Sequence, residues 1–285
     1  MTAPTRRRLG VATLVLAAGL TLTACGGSDN QAANPLGTAT PGKVHFAFRS
    51  DDKPTSFIDG GKPTGFLIEL TQAMAQKMNL TADYTATDFA SMLPNIRNHK
   101  YDSAAFGTLV TPPRQEVTDF TTAVNYGQAQ LISRKSAPLA TVDASGGKTI
   151  AITRGSELIP LVKKRVPTVT VKEFPNIAAS SNALTAGQVD GLFTGVATTN
   201  DLLEKHPDYQ ASPAITSGMT AFPVAKDKPE LKKALDDALK AVIADGTYTK
   251  LFDKWNPKGV AIPSDMLKAY PGMQQRPGVT AADGS

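Results

Sequence analysis

Between Lys43 and Pro257 the apolar residues change their period repeatedly. In "KVHFAF", Val44, Phe46 and Phe48 recur every second residue, as on one face of a strand. In "GFLIELTQAMAQKM", Leu67, Leu70, Met74 and Met78 fall on one helical stripe. The alternation then continues. "YDSAAFGTL", "KTIAIT", "TVTVKEF" and "VDGLFTG" read as strands. Helices are expected between them: a short one capped by Asp88 and carrying Met92, Leu93 and Ile96, one capped by Thr111, one from Glu157 to Arg165, and one in "NIAASSNALTAG". The clearest helix is "ELKKALDDALKAVIADG", where Leu231, Leu235, Leu239 and Val242 align between Pro229 and Gly246. Strands alternating with helices define an α/β fold with mostly parallel sheets. The span is comfortable for two small lobes.

The ends of the chain read differently. Arg6, Arg7 and Arg8 precede an apolar run, Leu9 to Ala24, which ends in small residues before Cys25. That is the layout of an export signal, and the run is too short and Thr-rich for a membrane span. Cys25 is the only cysteine, so no internal disulfide can form. Leu-Thr-Ala-Cys resembles the bacterial lipobox, which implies a signal peptide over 1–24 and a lipid anchor on Cys25. Two acyl chains would hold stably, at about 0.8 kcal/mol per buried methylene. Loss of the three signal arginines lowers the net charge from +5 to +2. No basic face then remains for nucleic acid. Residues 25–42 read as a flexible tether and 258–285 as a loose C-terminal tail, because neither offers much to bury.

"FGTLVTPPRQEVTDF" places Arg114 directly behind two prolines at an expected helix start. Proline suits a first turn, where its missing N–H has no partner to lose. Metal chemistry is not indicated. His45, His99 and His206 are far apart and lack cysteine partners, and no cofactor is expected. "SGGKT" fails as a phosphate loop because Val142 stands where its first glycine is required. Ser156, after Gly155, reads as a hydrogen-bond donor rather than a nucleophile.

Several segments, in order, resemble the family 3 (amino-acid-type) solute-binding proteins of bacterial ABC importers. They are "GKPTGFLIELTQAMAQKMNL", "DFASMLPNIRNHKYDSAAFGTLVTPPRQEVTDF", "LTAGQVDGLFT" and "DGTYTKLFDKW", together spanning about Lys43 to Trp255. The resemblance implies a two-lobed periplasmic-binding-protein (type II) fold with two crossover hinge strands. Lobe one would comprise 43–133 and 221–257, and lobe two 134–220, with the crossings near "LISRK" and "TAFPV". It implies a monomer, anchored on the extracytoplasmic face of the plasma membrane, that closes on a small carboxylate-bearing solute and is read by a permease. Arg114 takes the family position that grips the solute α-carboxylate, which suits its planar fork of donors. Phe89 matches the ligand-facing aromatic. Gly107, Thr108, Leu109, Ser156 and Glu157 fall at further contact positions.

The departures are as informative. Where the family places acids for the solute amine, this chain has Arg49 and Gly195. Asp51, Asp52 and Glu157 are the acids left to meet an amine. Arg49 with Arg114 would instead suit a solute with two anionic ends. Two other readings stay open: a dehydratase-like enzyme on the same fold with Glu157 as general acid, and a solute sensor without a transporter.

Overall fold

A computed structural model describes residues 34–256 and 260–278. The expected signal, Cys25 and the first part of the tether lie outside the described residues. The first lobe is built on a parallel sheet in which strand Lys43–Phe48 lies between Thr81–Ala86 and Ser103–Ala104. Helices Phe66–Lys77 and Pro229–Ala244 cover one face through Leu70, Met74, Leu235 and Leu239. Helix Phe89–Arg97 covers the other through Met92 and Ile96. Asp88 caps that helix by accepting from Ser91 N–H.

The second lobe carries strands Thr170–Phe174, Thr149–Thr153 and Gly191–Gly195 in parallel order. Its sheet turns antiparallel where strand Asn125–Arg134 joins, followed by Ile215–Ala221 and then Thr108–Leu109. The sheet is therefore mixed rather than mostly parallel. The reason is topological: strands that leave one lobe and return must run in opposite directions.

These two antiparallel strands are the crossings. Ala123 and Val124 sit in the first lobe's core, while Ala129, Leu131 and Ile132 sit in the second lobe's cores. The first crossing thus lies at Gly127–Gln128, ahead of "LISRK", whose apolar residues are second-lobe core. The second passes through a register irregularity between Thr216 and Gly218, ahead of "TAFPV". "YDSAAFGTL" is not one strand. Ser103–Ala104 pairs in the first lobe, whereas Thr108–Leu109 pairs with the returning crossing strand. Thr111 stands at the helix start, but its side chain makes no cap.

Both expected loose ends are partly docked. Ala39 N–H donates to the buried Asp102 carboxylate at 2.8 Å, and Leu36 packs on the first-lobe core, so 34–42 is not free tether. The described tail residues fold back as well. Helix Ser264–Ala269 places Met266 in the first-lobe core, with Ile262 beside it. A sparse apolar set suffices when a neighbouring core leaves a matching face. Met266 is fully buried, so Met266→Ala is expected to lower unfolding stability by about 2–5 kcal/mol in urea titration. A loose tail would leave the midpoint unchanged.

Candidate functional site

A cavity lies between the lobes. On the first-lobe side, Gly65 lets the chain turn tightly beside the lining residues Pro54, Thr55, Phe66 and Leu67. Its φ is +122°, and a Cβ there would meet the Thr55 carbonyl oxygen at 2.6 Å, so only glycine fits. Phe66 and Leu67 N–H groups then donate to the Pro54 and Thr55 carbonyls. This holds the 51–55 loop against the helix start and brings Asp52 to the cleft.

Pro112 and Pro113 occupy the first helical turn, so Arg114 leaves it toward the cleft and is only 6% exposed. One Nη donates to the Leu109 carbonyl at 2.9 Å. The other reaches across to the second lobe and donates to the Gly155 carbonyl at 2.8 Å. Nε stands 3.2 Å from Glu157 Oε1. The guanidinium lies over Phe89, 5.2 Å from the ring centre, and Phe106 meets Phe89 edge-on. Burial lowers the Arg114 pKa below its usual value, and the Glu157 carboxylate offsets only part of that.

Further contacts join the lobes. Asp52 Oδ1 accepts from the Thr198 hydroxyl at 2.6 Å, and Asp51 Oδ2 accepts from Ala178 N–H at 3.2 Å. Gly155 has φ +76°, and a Cβ there would sit 3.1 Å from Ala90 Cα on the opposite lobe. The lobes are therefore in contact across the cavity, which remains partly open to solvent.

The expected site residues mostly converge here. Arg49, Asp52, Phe89, Gly107, Leu109 and Arg114 line the cavity from the first lobe. Ser156, Glu157 and Gly195 line it from the second. Arg49 is not a free cation: it stands 3.4 Å from Asp51 and 3.8 Å from Asp52. Ser156 accepts from Leu158 N–H and so helps start its helix. Gly195 begins helix Val196–Lys205 with no side-chain cap, and a Cβ there would find its nearest neighbour 3.8 Å away, at the Gln128 carbonyl. Thr108 does not line the cavity. It is fully buried, with its hydroxyl toward Met92 sulfur, because adjacent strand residues point to opposite faces and Leu109 takes the cleft side.

Sequence reasoning placed a crossing near "LISRK" but missed the cavity-lining residues of the strand that makes it. Asn125, Tyr126 and Gln128 line the cavity, as do Thr153 and Thr194 from lobe two. Asn125 Oδ1 and Thr153 Oγ1 are buried acceptors with no hydrogen-bond partner among the described residues. The available signal was the polar run Asn125–Gln130 ahead of apolar Leu131 and Ile132. Val260, Ala261 and Pro263 line the cavity too, from the segment expected to be loose.

Comparison with known proteins agrees with this architecture. The model for "Bacterial extracellular solute-binding proteins, family 3" matches residues 44–258. ABC transporter arginine-binding protein 1 of Escherichia coli (strain K12) is 26% identical over 78% of this chain and 94% of its own length. Probable amino-acid-binding protein YxeM of Bacillus subtilis (strain 168) is 26% identical over 87% of this chain and 96% of its own. The solved structure of an ancestral arginine-binding protein bound to glutamine superimposes with a TM-score of 0.71 at 27% identity, covering 76% of this chain and 98% of that one. With the family match spanning both lobes and the cleft between them, this chain belongs to the bacterial extracellular solute-binding proteins of family 3, on the two-lobed type II fold.

Proposed function

We propose that the chain captures an amino acid, or an amino acid derivative, between its lobes and presents it to the permease of an ABC importer. The observation that carries this reading is the Arg114–Glu157 pair, a first-lobe cation facing a second-lobe anion at 3.2 Å across the cavity. A zwitterionic solute exchanges that one pair for two. Its carboxylate takes Arg114 and its ammonium takes the released Glu157. The charge balance of the cleft is unchanged by the exchange, so no unpaired ion is buried.

This accounts for the acids missing at Arg49 and Gly195, since Glu157 supplies the negative charge from another position. A solute with two anionic ends fits less well, because Arg49 already has Asp51 and Asp52 beside it. The relatives named for arginine and for amino acids support the same solute class. A dehydratase-like reading would make Glu157 a general acid, but the relatives named as amino-acid-binding proteins favour capture over turnover. We therefore read the chain as a binding protein without turnover. It would act as an extracytoplasmic monomer, lipid-anchored through Cys25. Capture would close the lobes by hinge motion, and the closed form is what the permease would read.

A thermal-shift panel of amino acids and amine-free carboxylates tests the class. A bound member at a hundred times its dissociation constant adds about 2.7 kcal/mol, or roughly 5–10 °C. No shift with any amino acid would refute the reading. Arg114→Ala is expected to cost at least about 2 kcal/mol of affinity by calorimetry; unchanged binding would remove the carboxylate clamp. Glu157→Gln should weaken amine-bearing solutes about tenfold or more while sparing amine-free carboxylates, and equal effects on both would dismiss Glu157 as the amine partner. Gly155→Ala should weaken capture by holding the lobes apart, and Ala90→Gly in the same chain should restore part of it. Absence of rescue would locate the defect in Gly155's own backbone rather than in closure.

A further inference from the structure

The match to the family ends at residue 258, yet the chain beyond it reaches the same cavity as Arg114 and Glu157. We infer that residues 260–263 form an additional wall of the solute chamber, giving it an apolar end that selects solutes with an apolar tail behind the amino acid head. The inference rests on the proposed capture of an amino acid in the cleft.

The wall is built and fixed. Ile262 is fully buried, and its backbone is paired both ways by Gln275, which accepts from its N–H at 2.8 Å and donates to its carbonyl at 2.9 Å. Arg276, 4% exposed, donates to the Val260 carbonyl at 2.7 Å and to Asp253 at 2.8 Å. Val260 is thereby tied to the helix Thr247–Trp255. Tyr270 donates to the Ala123 carbonyl just before the first crossing strand. The segment is braced internally by Gln275 and tied to the rest of the protein at two points, Asp253 and Ala123, so Val260, Ala261 and Pro263 hold their positions in the cavity lining.

The lining is chemically divided. Arg49, Asp52, Arg114 and Glu157 give it its charges. Val260 packs against a core cluster that also contributes Phe66, Leu67, Val124 and Phe252 to the lining, four buried carbon side chains. Charge at one end fixes the head of a solute, and an apolar end rewards whatever hydrocarbon follows it. Apolar burial is proportional to area, so each methylene seated there should tighten binding about fourfold.

The test is calorimetry of the purified protein with alanine, norvaline and norleucine, which share one head and differ only in tail length. In the native chain, affinity is expected to rise several-fold per added methylene. Ala261→Trp fills the proposed end and should collapse the norleucine-to-alanine affinity ratio toward one. Val260→Trp is the second variant, used if the unfolding midpoint shows that the first is misfolded. A ratio that stays high in both variants, or a flat series in a native chain that binds alanine, overturns the wall. No binding of any member by the native chain would overturn the amino acid reading itself, and this inference with it.

Discussion

A guanidinium can leave water only where acceptors replace the water, and Arg114 meets that condition with help from both lobes. Its own lobe offers one acceptor, the Leu109 carbonyl. The second lobe offers the Gly155 carbonyl and the Glu157 carboxylate. A buried, unpaired charge costs several kcal/mol. Lobe one alone therefore cannot keep Arg114 dry, and burial of this side chain is the same event as closure of the cleft. When the lobes part, water takes over from Gly155 and Glu157. Both states satisfy the charge, so the difference between them is a small remainder of large terms. A solute biases that balance only through contacts it makes in one state and not in the other.

Movement between such states needs a place to bend, and the crossing strands supply it. The cores lie on either side of Gly127, and the register irregularity faces it across the ladder at Thr216–Gly218. A bulge interrupts the ladder and increases local twist, so it concentrates deformation. The first-lobe end of the crossing is held firmly by comparison. Asp236 accepts from Thr122 N–H at 2.6 Å, and Tyr270 bonds Thr122 and Ala123. One anchor comes from the long helix Pro229–Ala244 and the other from the tail. The C-terminal segment thus bears on the hinge root as well as on the chamber.

The element pattern was legible because periodicity reports which face of each segment is buried. Val44, Leu70 and Leu235 fall in cores as their spacing demands. Arg114 stood out because two prolines announced a helix start, and a charge there needs a purpose. The misreadings of strand and tail share a cause: they concern pairings made far along the chain. Nothing within "YDSAAFGTL" tells that Thr108–Leu109 will bond to a strand more than a hundred residues later. Thr108 was read as a contact from its hydroxyl, whereas strand alternation gave the cleft to Leu109. The tail looked loose because Ile262, Met266 and Met273 are few. They are enough when the helices Pro229–Ala244 and Thr247–Trp255 present an apolar face to them.

The electrostatics of the cleft follow from where acids were lost and gained. Gly195 leaves the first turn of helix Val196–Lys205 without a capping side chain, facing the cavity. A bare helix start carries partial positive charge and unused N–H groups. Arg49 adds a cation whose two neighbouring acids are also engaged elsewhere, Asp52 by Thr198 and Asp51 by Ala178 N–H. Glu157 is then the acid most available to an ammonium, and even it must first release Arg114. On the proposed reading, such a cleft would meet a carboxylate with Arg114 and the bare helix start, and an amine with Glu157 alone. Recognition shifts away from the amine and onto the carboxylate and the side chain. On the proposed reading the fold can keep its closing motion under that change, because the arginine buried on closure would also be the one that reads the carboxylate.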